Sequence, residues 1–188
     1  MINPDQITNY NRNQRELEEF LLFCIMVAGK SAKGTAQKLH QFLMRRENNE
    51  SPLEYVDALV HEELNLDLDT AMRNVRLGQY KRLGTAFRGI LKFQNRLHEV
   101  SVKDLESISG IGPKTARFFV LHSRPNQQVA VLDTHILKYM YAQGYDVPKT
   151  TPPKHKYGII EEQFLQLAHE NNMSVADFDL QIWKSYRK

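Results

Sequence analysis

Lys114 and Asp133 are the two residues whose types and positions suggest covalent chemistry. Lys114 directly follows Pro113 in the stretch 105-LESISGIGPKTARFFVLH-122, and Asp133 ends the stretch 125-PNQQVAVLD-133. A lysine amine that has lost its proton can attack an electrophilic carbon and form a Schiff base. A nearby carboxylate can stabilise developing positive charge or take up the proton that the amine loses. These residue types are capable of such chemistry, but their positions alone do not assign it, because Lys114 could instead only contact an anion.

Lys114 is expected at the start of a helix, because Pro113 is typical of the first helical position. The helix macrodipole disfavours positive charge at this end, and burial against apolar side chains also favours a neutral amine. This placement costs stability but suits a nucleophile. Asp133 is expected to cap the next helix, which begins at Thr134, and that cap could be its only role.

The element that would position Lys114 is a tight hairpin between two short helices. Gly110 and Gly112 permit positive φ and let another backbone approach closely. Ile111 is expected to pack back against Ile108 and Phe118, which would leave the loop and helix-start N–H groups facing outward. Such a set of donors binds anions, and on a basic protein the anion would be a DNA phosphate.

Helical periodicity dominates the rest of the chain, and we predict an all-α fold without internal repeats or strands. The predicted elements are helices at 14–28 and 35–48, a helix from Ser51, one basic helix or a broken pair over 80–97, a short helix from Ser101 to Gly110, a helix from Pro113 to about Ser123, an extended segment at 125–133, a helix at 134–142, a loop at 146–156, and two closing helices of which the second is capped by Ser174 and Asp177.

Composition narrows the class of protein. The 188 residues are 41% hydrophobic and 25% charged, which is ordinary for a soluble globular domain. The net charge of +3 is unevenly spread, since residues 73–96 contain no acid, and such a surface attracts phosphates. The single cysteine, Cys24, excludes an internal disulfide and any zinc or iron–sulfur site ligated by several cysteines of this chain. Cys24 stands among apolar residues, where packing is its expected role.

No apolar run is long enough to span a bilayer, and the first residues lack the pattern of a signal peptide. We therefore expect no membrane partner and a location in the cytoplasm or nucleoid, or in the nucleus of a eukaryote.

The hairpin pattern L-x-x-I-x-G-I-G-P-K-T-A resembles the helix–hairpin–helix motif, which holds the DNA backbone without reading sequence. The stretch 129-VAVLDTHILKYM-140 follows it at a distance that resembles the helix–hairpin–helix (HhH-GPD) DNA glycosylase superfamily, which includes endonuclease III and the 8-oxoguanine DNA glycosylases. The stretch 20-FLLFCIMVAGKSAKGTAQKLHQFL-43 is similar to the first helix pair of that family. The likeness runs from about residue 15 to about 141.

This resemblance implies a base-excision-repair DNA glycosylase with AP lyase activity, acting on double-stranded DNA that contains a damaged base. Lys114 would be the nucleophile that forms the Schiff base, and Asp133 the catalytic aspartate. The chain lacks the clustered cysteines of endonuclease III-like members, which favours an oxidised purine such as 8-oxoguanine as the substrate. Two alternatives stay open: a non-catalytic helix–hairpin–helix DNA-binding protein, and a monofunctional glycosylase in which Lys114 only contacts phosphate.

The resemblance also implies that the damaged nucleotide leaves the duplex and enters the active site. It further implies which residues contact the DNA. The residues expected to contact DNA are Gly110, Ile111, Gly112 and Thr115. Trp183 and Lys188 are candidates for base recognition, because some small 8-oxoguanine glycosylases use their C-terminal end in this way. A side chain of 28-AGKSAK-33 is the candidate wedge that enters the base stack.

The expected architecture is a single domain, residues 1–188, with two helical lobes and the active site in the cleft between them. One lobe spans about 30–125 and includes the hairpin at 105–122, and the other combines 1–29 with 130–188. We expect a monomer without a metal, iron–sulfur cluster or other cofactor. A monovalent cation held by loop carbonyls of the hairpin is the one ion that the resemblance allows.

Overall fold

The computed structural model describes residues 1–47, 49–62 and 66–186, and all regular structure in these ranges is helical. The α-helices are α1 Gln14–Met26, α2 Ala32–Leu43, α3 Pro52–Val60, α4 Leu68–Asn74, α5 Tyr80–Ile90, α6 Val102–Glu106, α7 Pro113–Ser123, α8 Thr134–Ala142, α9 Lys154–Glu170 and α10 Val175–Tyr186. Short 3-10 helices lie at Pro4–Gln6 and Leu91–Phe93. The prediction of an all-α fold is confirmed. Within the described ranges, no helix is both long and apolar enough to cross a membrane.

Side-chain caps determine where several helices begin. Capping boxes start α1, α3 and α6, and their pairs are Asn13 with Glu16, Ser51 with Glu54, and Ser101 with Asp104. In each box the cap side chain accepts from a first-turn amide, and the acidic side chain accepts from the cap residue's amide. Helix α2 begins at Ala32, earlier than the predicted start at residue 35, because the Ser31 hydroxyl accepts from the Gly34 amide.

Two helices differ from the simplest sequence-based expectation. The basic region 80–97 is the broken pair rather than one long helix: α5 ends at Ile90, and a 3-10 turn follows that keeps Phe93 buried. Helix α4 was not predicted, because it is too short to show a helical period. It depends on its cap, where Asp67 accepts from the Thr70 amide at 2.9 Å.

The buried side chains form two clusters. The first is built by α1 to α7, and α1 is its central helix, since every side chain from Phe20 to Met26 is at most 1% exposed. The second is built by α8 to α10 together with Leu121 and residues 130–132. Helix α1 thus belongs to the same cluster as α2 to α7. The division into two lobes, with residues 1–29 in the second lobe, stays a prediction.

Cys24 lies in the centre of the first cluster. Its side chain is buried, and burial raises the pKa of its thiol. Because the thiolate is the reactive form of cysteine, this environment makes Cys24 a packing residue, as predicted.

Helix α7 joins the two clusters. Val120 belongs to the first cluster and Leu121 to the second, while Phe118 packs against both. The Phe118 ring meets the rings of Phe20 at 5.9 Å and His122 at 5.3 Å between centroids. The helix that carries Lys114 is therefore held between both halves of the core.

Candidate active site

A cavity of about 810 Å³ lies where the two clusters meet, and both Lys114 and Asp133 line it. Its walls come from the end of α1 and the loop after it, from α7, from the start of α8, and from α10. Its volume falls within the range of roughly 300–1,000 Å³ that is usual for ligand pockets. The structure thus brings the two predicted catalytic residues to one site.

Lys114 stands in the first turn of α7, half-buried, with its amine 5.5 Å from the centre of the Phe118 ring. The first intrahelical bond of α7 runs from the Ala116 amide to the Gly112 carbonyl at 3.1 Å. No side chain caps this helix start. The amides of Lys114 and Thr115 are therefore first-turn donors that the helix itself cannot satisfy.

Asp133 caps α8, as predicted. Its Oδ1 atom accepts hydrogen bonds from the amides of His135 at 2.8 Å and Ile136 at 3.0 Å. Its Oδ2 atom has no hydrogen-bond partner among the described residues, and the side chain lines the cavity. One carboxylate oxygen therefore fixes the helix start while the other is available to a ligand, so capping and catalysis are compatible in this residue.

The hairpin uses its two glycines differently. Gly110 has φ +94°, a conformation that side-chain-bearing residues rarely adopt, whereas Gly112 is extended with φ −93° and ψ 174°. The expected need for positive φ thus holds at Gly110 alone. Gly112 is exposed with open space around it, which suits close approach of another backbone.

The other two hairpin residues predicted to contact DNA are buried. Ile111 is 5% exposed and Thr115 is 6% exposed. The Ile111 amide donates to the Ile108 carbonyl at 3.1 Å, so this N–H group is used inside the loop and does not face outward as expected. The outward donors that remain are those of the first turn of α7.

The structure adds a buried pair that the sequence did not indicate. His122 Nε2 lies 3.2 Å from Asp179 Oδ2, and its Nδ1 lies 2.8 Å from the Thr8 hydroxyl. Asp179 also lines the cavity. Burial raises the pKa of Asp179, and the negative charge of Asp133 adds to this rise, while His122 and Lys114 act against it. A second carboxyl group, that of Asp179, therefore shares the electrostatic environment of Lys114 and Asp133.

Asp179 could have been found from its spacing to Trp183, a predicted base-recognition residue. The two are one helical turn apart on α10, and this spacing places them on the same face of the helix. Trp183, a predicted base-recognition residue, lines the cavity with Asp179. Lys188, the other predicted base-recognition residue, lies outside the described residues. The predicted wedge residues 28–33 also line the cavity.

Comparison with known proteins identifies the family of this chain. The family model described as 8-oxoguanine DNA glycosylase (Ogg-HhH) matches residues 5–173. A Methanocaldococcus jannaschii protein named 8-oxoguanine DNA glycosylase/AP lyase is 28% identical over 180 residues, which cover 92% of this chain and 81% of that protein.

Two solved structures share the fold. The 8-oxoguanine glycosylase/lyase of Methanocaldococcus jannaschii, in complex with a 15mer DNA containing 8-oxoguanine, has a TM-score of 0.71 at 24% identity, covering 94% of this chain and 83% of that chain. The 8-oxoguanine DNA glycosylase of Thermotoga maritima has a TM-score of 0.69 at 21% identity, covering 97% of this chain and 86% of that chain. With most of its length matched by the family model, the chain belongs to the 8-oxoguanine DNA glycosylase family.

Proposed function

We propose that this chain is a base-excision-repair DNA glycosylase with AP lyase activity, and that it removes 8-oxoguanine or a related oxidised purine from duplex DNA. The observation that carries the proposal is that Lys114 and Asp133 line one cavity in a member of this family. The activity in the name of the Methanocaldococcus jannaschii relative supports the same reaction.

The first chemical step replaces the base with the enzyme. The neutral amine of Lys114 attacks C1′ of the flipped nucleotide, and the bond from C1′ to the base breaks with its electron pair leaving on the base. Asp133 stabilises the positive charge that develops on the sugar as this bond breaks. Its Oδ2 atom, which does not take part in capping, is the oxygen suited to this task and to accepting the proton that the amine loses.

The second step cleaves the strand. Opening of the sugar ring gives a Schiff base between Lys114 and C1′, which acidifies the hydrogens on C2′. Loss of a C2′ proton forms a carbon–carbon double bond as the C3′–O bond breaks and the 3′ phosphate leaves. Water then hydrolyses the imine and restores the free amine. Lys114 is therefore both the nucleophile that expels the base and the electron sink for the lyase step.

The damaged nucleotide must leave the duplex to reach Lys114. The exposed Gly112 and the first-turn amides of α7 suit a backbone phosphate, because a helix N-terminus offers unsatisfied donors and favourable dipole charge. This contact carries no sequence information, which suits an enzyme that must act anywhere in a genome.

Recognition of the base is proposed for the α10 side of the cavity. Trp183 can stack on a flipped base there, and Asp179 adds a polar group within the same wall. The role of Lys188 stays a prediction. So does a monovalent cation at the hairpin, where the Ile108 and Gly110 carbonyls already accept hydrogen bonds but each retains a second lone pair.

Borohydride trapping tests the mechanism. The protein is mixed with matched duplexes that carry 8-oxoguanine, thymine glycol, uracil or an abasic site, and each mixture is reduced. We expect a covalent protein–DNA adduct with 8-oxoguanine and with the abasic site. Base release without an adduct or a nick would indicate a monofunctional glycosylase, and binding without base release would indicate a non-catalytic DNA-binding protein.

A further inference from the structure

The segment 127–133, which leads to Asp133, has no regular secondary structure, and no described residue pairs with it as a β-strand. Buried backbone N–H and C=O groups need hydrogen-bond partners, and in this segment side chains supply them. The Ala130 amide donates to Glu161 Oε1 at 2.8 Å, and the Tyr157 hydroxyl donates to the Ala130 carbonyl at 2.9 Å. The Leu132 amide donates to the same hydroxyl at 2.9 Å. Side chains of helix α9 thus supply hydrogen bonds that a neighbouring strand would supply in a sheet.

Tyr157 is suited to bridge two backbone groups at once. Its side chain is 1% exposed, and burial raises the pKa of its hydroxyl, which therefore stays neutral. A neutral phenol both donates and accepts, so one hydroxyl serves the Ala130 carbonyl and the Leu132 amide. Both of these backbone groups belong to the few residues before Asp133.

The same helix is joined to the lysine-bearing helix by an arginine. Arg117 lies one helical turn after Lys114 on α7, and it donates to Glu161 through Nε at 2.7 Å and Nη2 at 3.0 Å. This is the two-bond fork geometry that fixes direction as well as distance. The Arg117 guanidinium also lies over the Tyr157 ring, 4.4 Å from its centre.

These contacts form one connected path between the two reacting groups. It runs from Lys114 along α7 to Arg117, across to Glu161, and through the Ala130 amide to the segment that ends at Asp133. Partly buried ion pairs are weak contributors to stability, because desolvation offsets their attraction. A role in holding geometry explains this network better than a role in stability alone.

We propose that Tyr157 and Glu161 are positioning residues that set the location of the Asp133 carboxylate relative to the Lys114 amine. This inference rests on the proposed function. Neither residue lines the cavity that Lys114 and Asp133 share. Their loss should therefore slow the chemical step and leave affinity for DNA almost unchanged.

The test compares two tyrosine-to-phenylalanine variants. Tyr157→Phe removes the hydroxyl that bridges the segment. Tyr55→Phe is the matched control, because Tyr55 is equally buried at 1% and its hydroxyl has no partner among the described residues. Single-turnover base release, dissociation constants for damaged duplex, and circular dichroism are measured for both variants and wild type.

We expect Tyr157→Phe to lower the single-turnover rate by about 10-fold to 10²-fold, since small misplacements of reacting groups have effects of this size. The dissociation constant should stay within about 2-fold, because the phosphate contacts that dominate affinity are untouched. The Tyr55→Phe rate should equal that of wild type. Equal rates for both variants in an active protein would overturn this inference alone, whereas a wild type inactive on every duplex would overturn the proposed function and the inference with it.

Glu161 provides a second test if Tyr157→Phe does not fold. Glu161→Gln keeps an oxygen that can accept from the Ala130 amide but loses the charge that pairs with Arg117, and Glu161→Ala loses both. Positioning predicts a graded loss of single-turnover rate, with the glutamine variant between wild type and the alanine variant, at an unchanged dissociation constant. Rates that fall only in proportion to the folded fraction would overturn the proposal.

Discussion

The guanidinium of Arg82 donates to the carbonyl oxygen of Gly110 at 3.0 Å and thereby attaches the hairpin to the centre of the molecule. The same guanidinium donates to the Ile25 carbonyl at 2.9 Å, near the end of the central helix α1. A Cβ atom at Gly110 would lie 2.8 Å from the backbone oxygen of Arg82, closer than such contacts allow. The hairpin is therefore packed tightly on its inner side and open on its outer side.

The two hairpin glycines should respond differently to alanine. Gly110→Ala places a side chain at φ +94° against the Arg82 backbone, and we expect it to lower the free energy of unfolding by about 1–3 kcal/mol. Gly112→Ala meets no atom within 4 Å, and its stability should change by less than about 0.5 kcal/mol. Urea unfolding of both variants measures this difference, and equal stabilities would contradict the tight packing.

The same two glycine variants distinguish an effect on stability from an effect on DNA binding. A methyl group at Gly112 would stand on the exposed face where a phosphate is expected to approach, so Gly112→Ala should weaken binding to undamaged duplex while the protein stays fully folded. Equilibrium binding at fixed salt is the measurement. Unchanged affinity would mean that the DNA backbone does not contact this side of the hairpin.

Lys114→Gln tests the nucleophile. We expect base release to fall by about 10³-fold or more and the borohydride adduct to disappear, because glutamine lacks the amine that attacks C1′. Binding to damaged duplex should be retained. If the variant instead loses affinity and the salt dependence of binding falls by about one phosphate contact, Lys114 is a clamp residue rather than a nucleophile.

Asp133 can be separated into its two roles by substitution. Asparagine is as good a helix cap as aspartate, so Asp133→Asn should keep the bonds to the His135 and Ile136 amides and change stability little. Its base release should still fall sharply, because the negative charge is gone. Asp133→Ala should lose the same activity and, in addition, about 1 kcal/mol of stability. An active Asp133→Asn protein would show that only the cap matters.

Glu106 makes the stability of the hairpin region dependent on pH. It accepts from Lys154 at 2.8 Å and from Arg117 at 2.5 Å. Burial alone would raise the pKa of Glu106, but these hydrogen bonds outweigh it and hold the pKa below its ordinary value of 4.5. A lowered carboxyl pKa contributes stability that is present above the unfolded-state value and is lost as the pH falls through the folded-state value.

Wild type should therefore lose unfolding free energy below about pH 4.5 more steeply than Glu106→Gln, although it is the more stable protein at neutral pH. Urea unfolding at several pH values between about 7 and 3.5 measures both slopes. Parallel pH profiles for the two proteins would show that the bonds to Glu106 do not favour its charged form.

The sequence was sufficient for the features that depend on neighbours in the chain. Pro113 and the Gly110 turn predicted the hairpin, and the cap at Asp133 followed from residue type and position. These signals are local, because caps and tight turns are satisfied within a few residues. The meeting of Lys114 and Asp133 in one cavity was implied by family resemblance rather than by any local rule.

What the sequence could not show depends on helix packing. Nothing near Arg117 indicates that its partner is Glu161, and nothing near His122 indicates Asp179, because these pairs form only after α7 packs against α9 and α10. The inward-facing Ile111 amide was missed for a related reason: which hairpin donors are used internally depends on the dihedral angles of the loop.

Helix α7 holds several residues of the site in a fixed order along its axis. Its first turn holds the surface donors and Lys114, its second turn holds Arg117 and Phe118, and its last turn holds His122. A helix advances about 1.5 Å per residue and resists bending over such a length. Under the proposed function, a phosphate bound at the N-terminal end would lie at a set distance from the Lys114 amine, because both belong to the first turn of the same helix. That distance would determine which nucleotide of the bound strand presents its C1′ to Lys114.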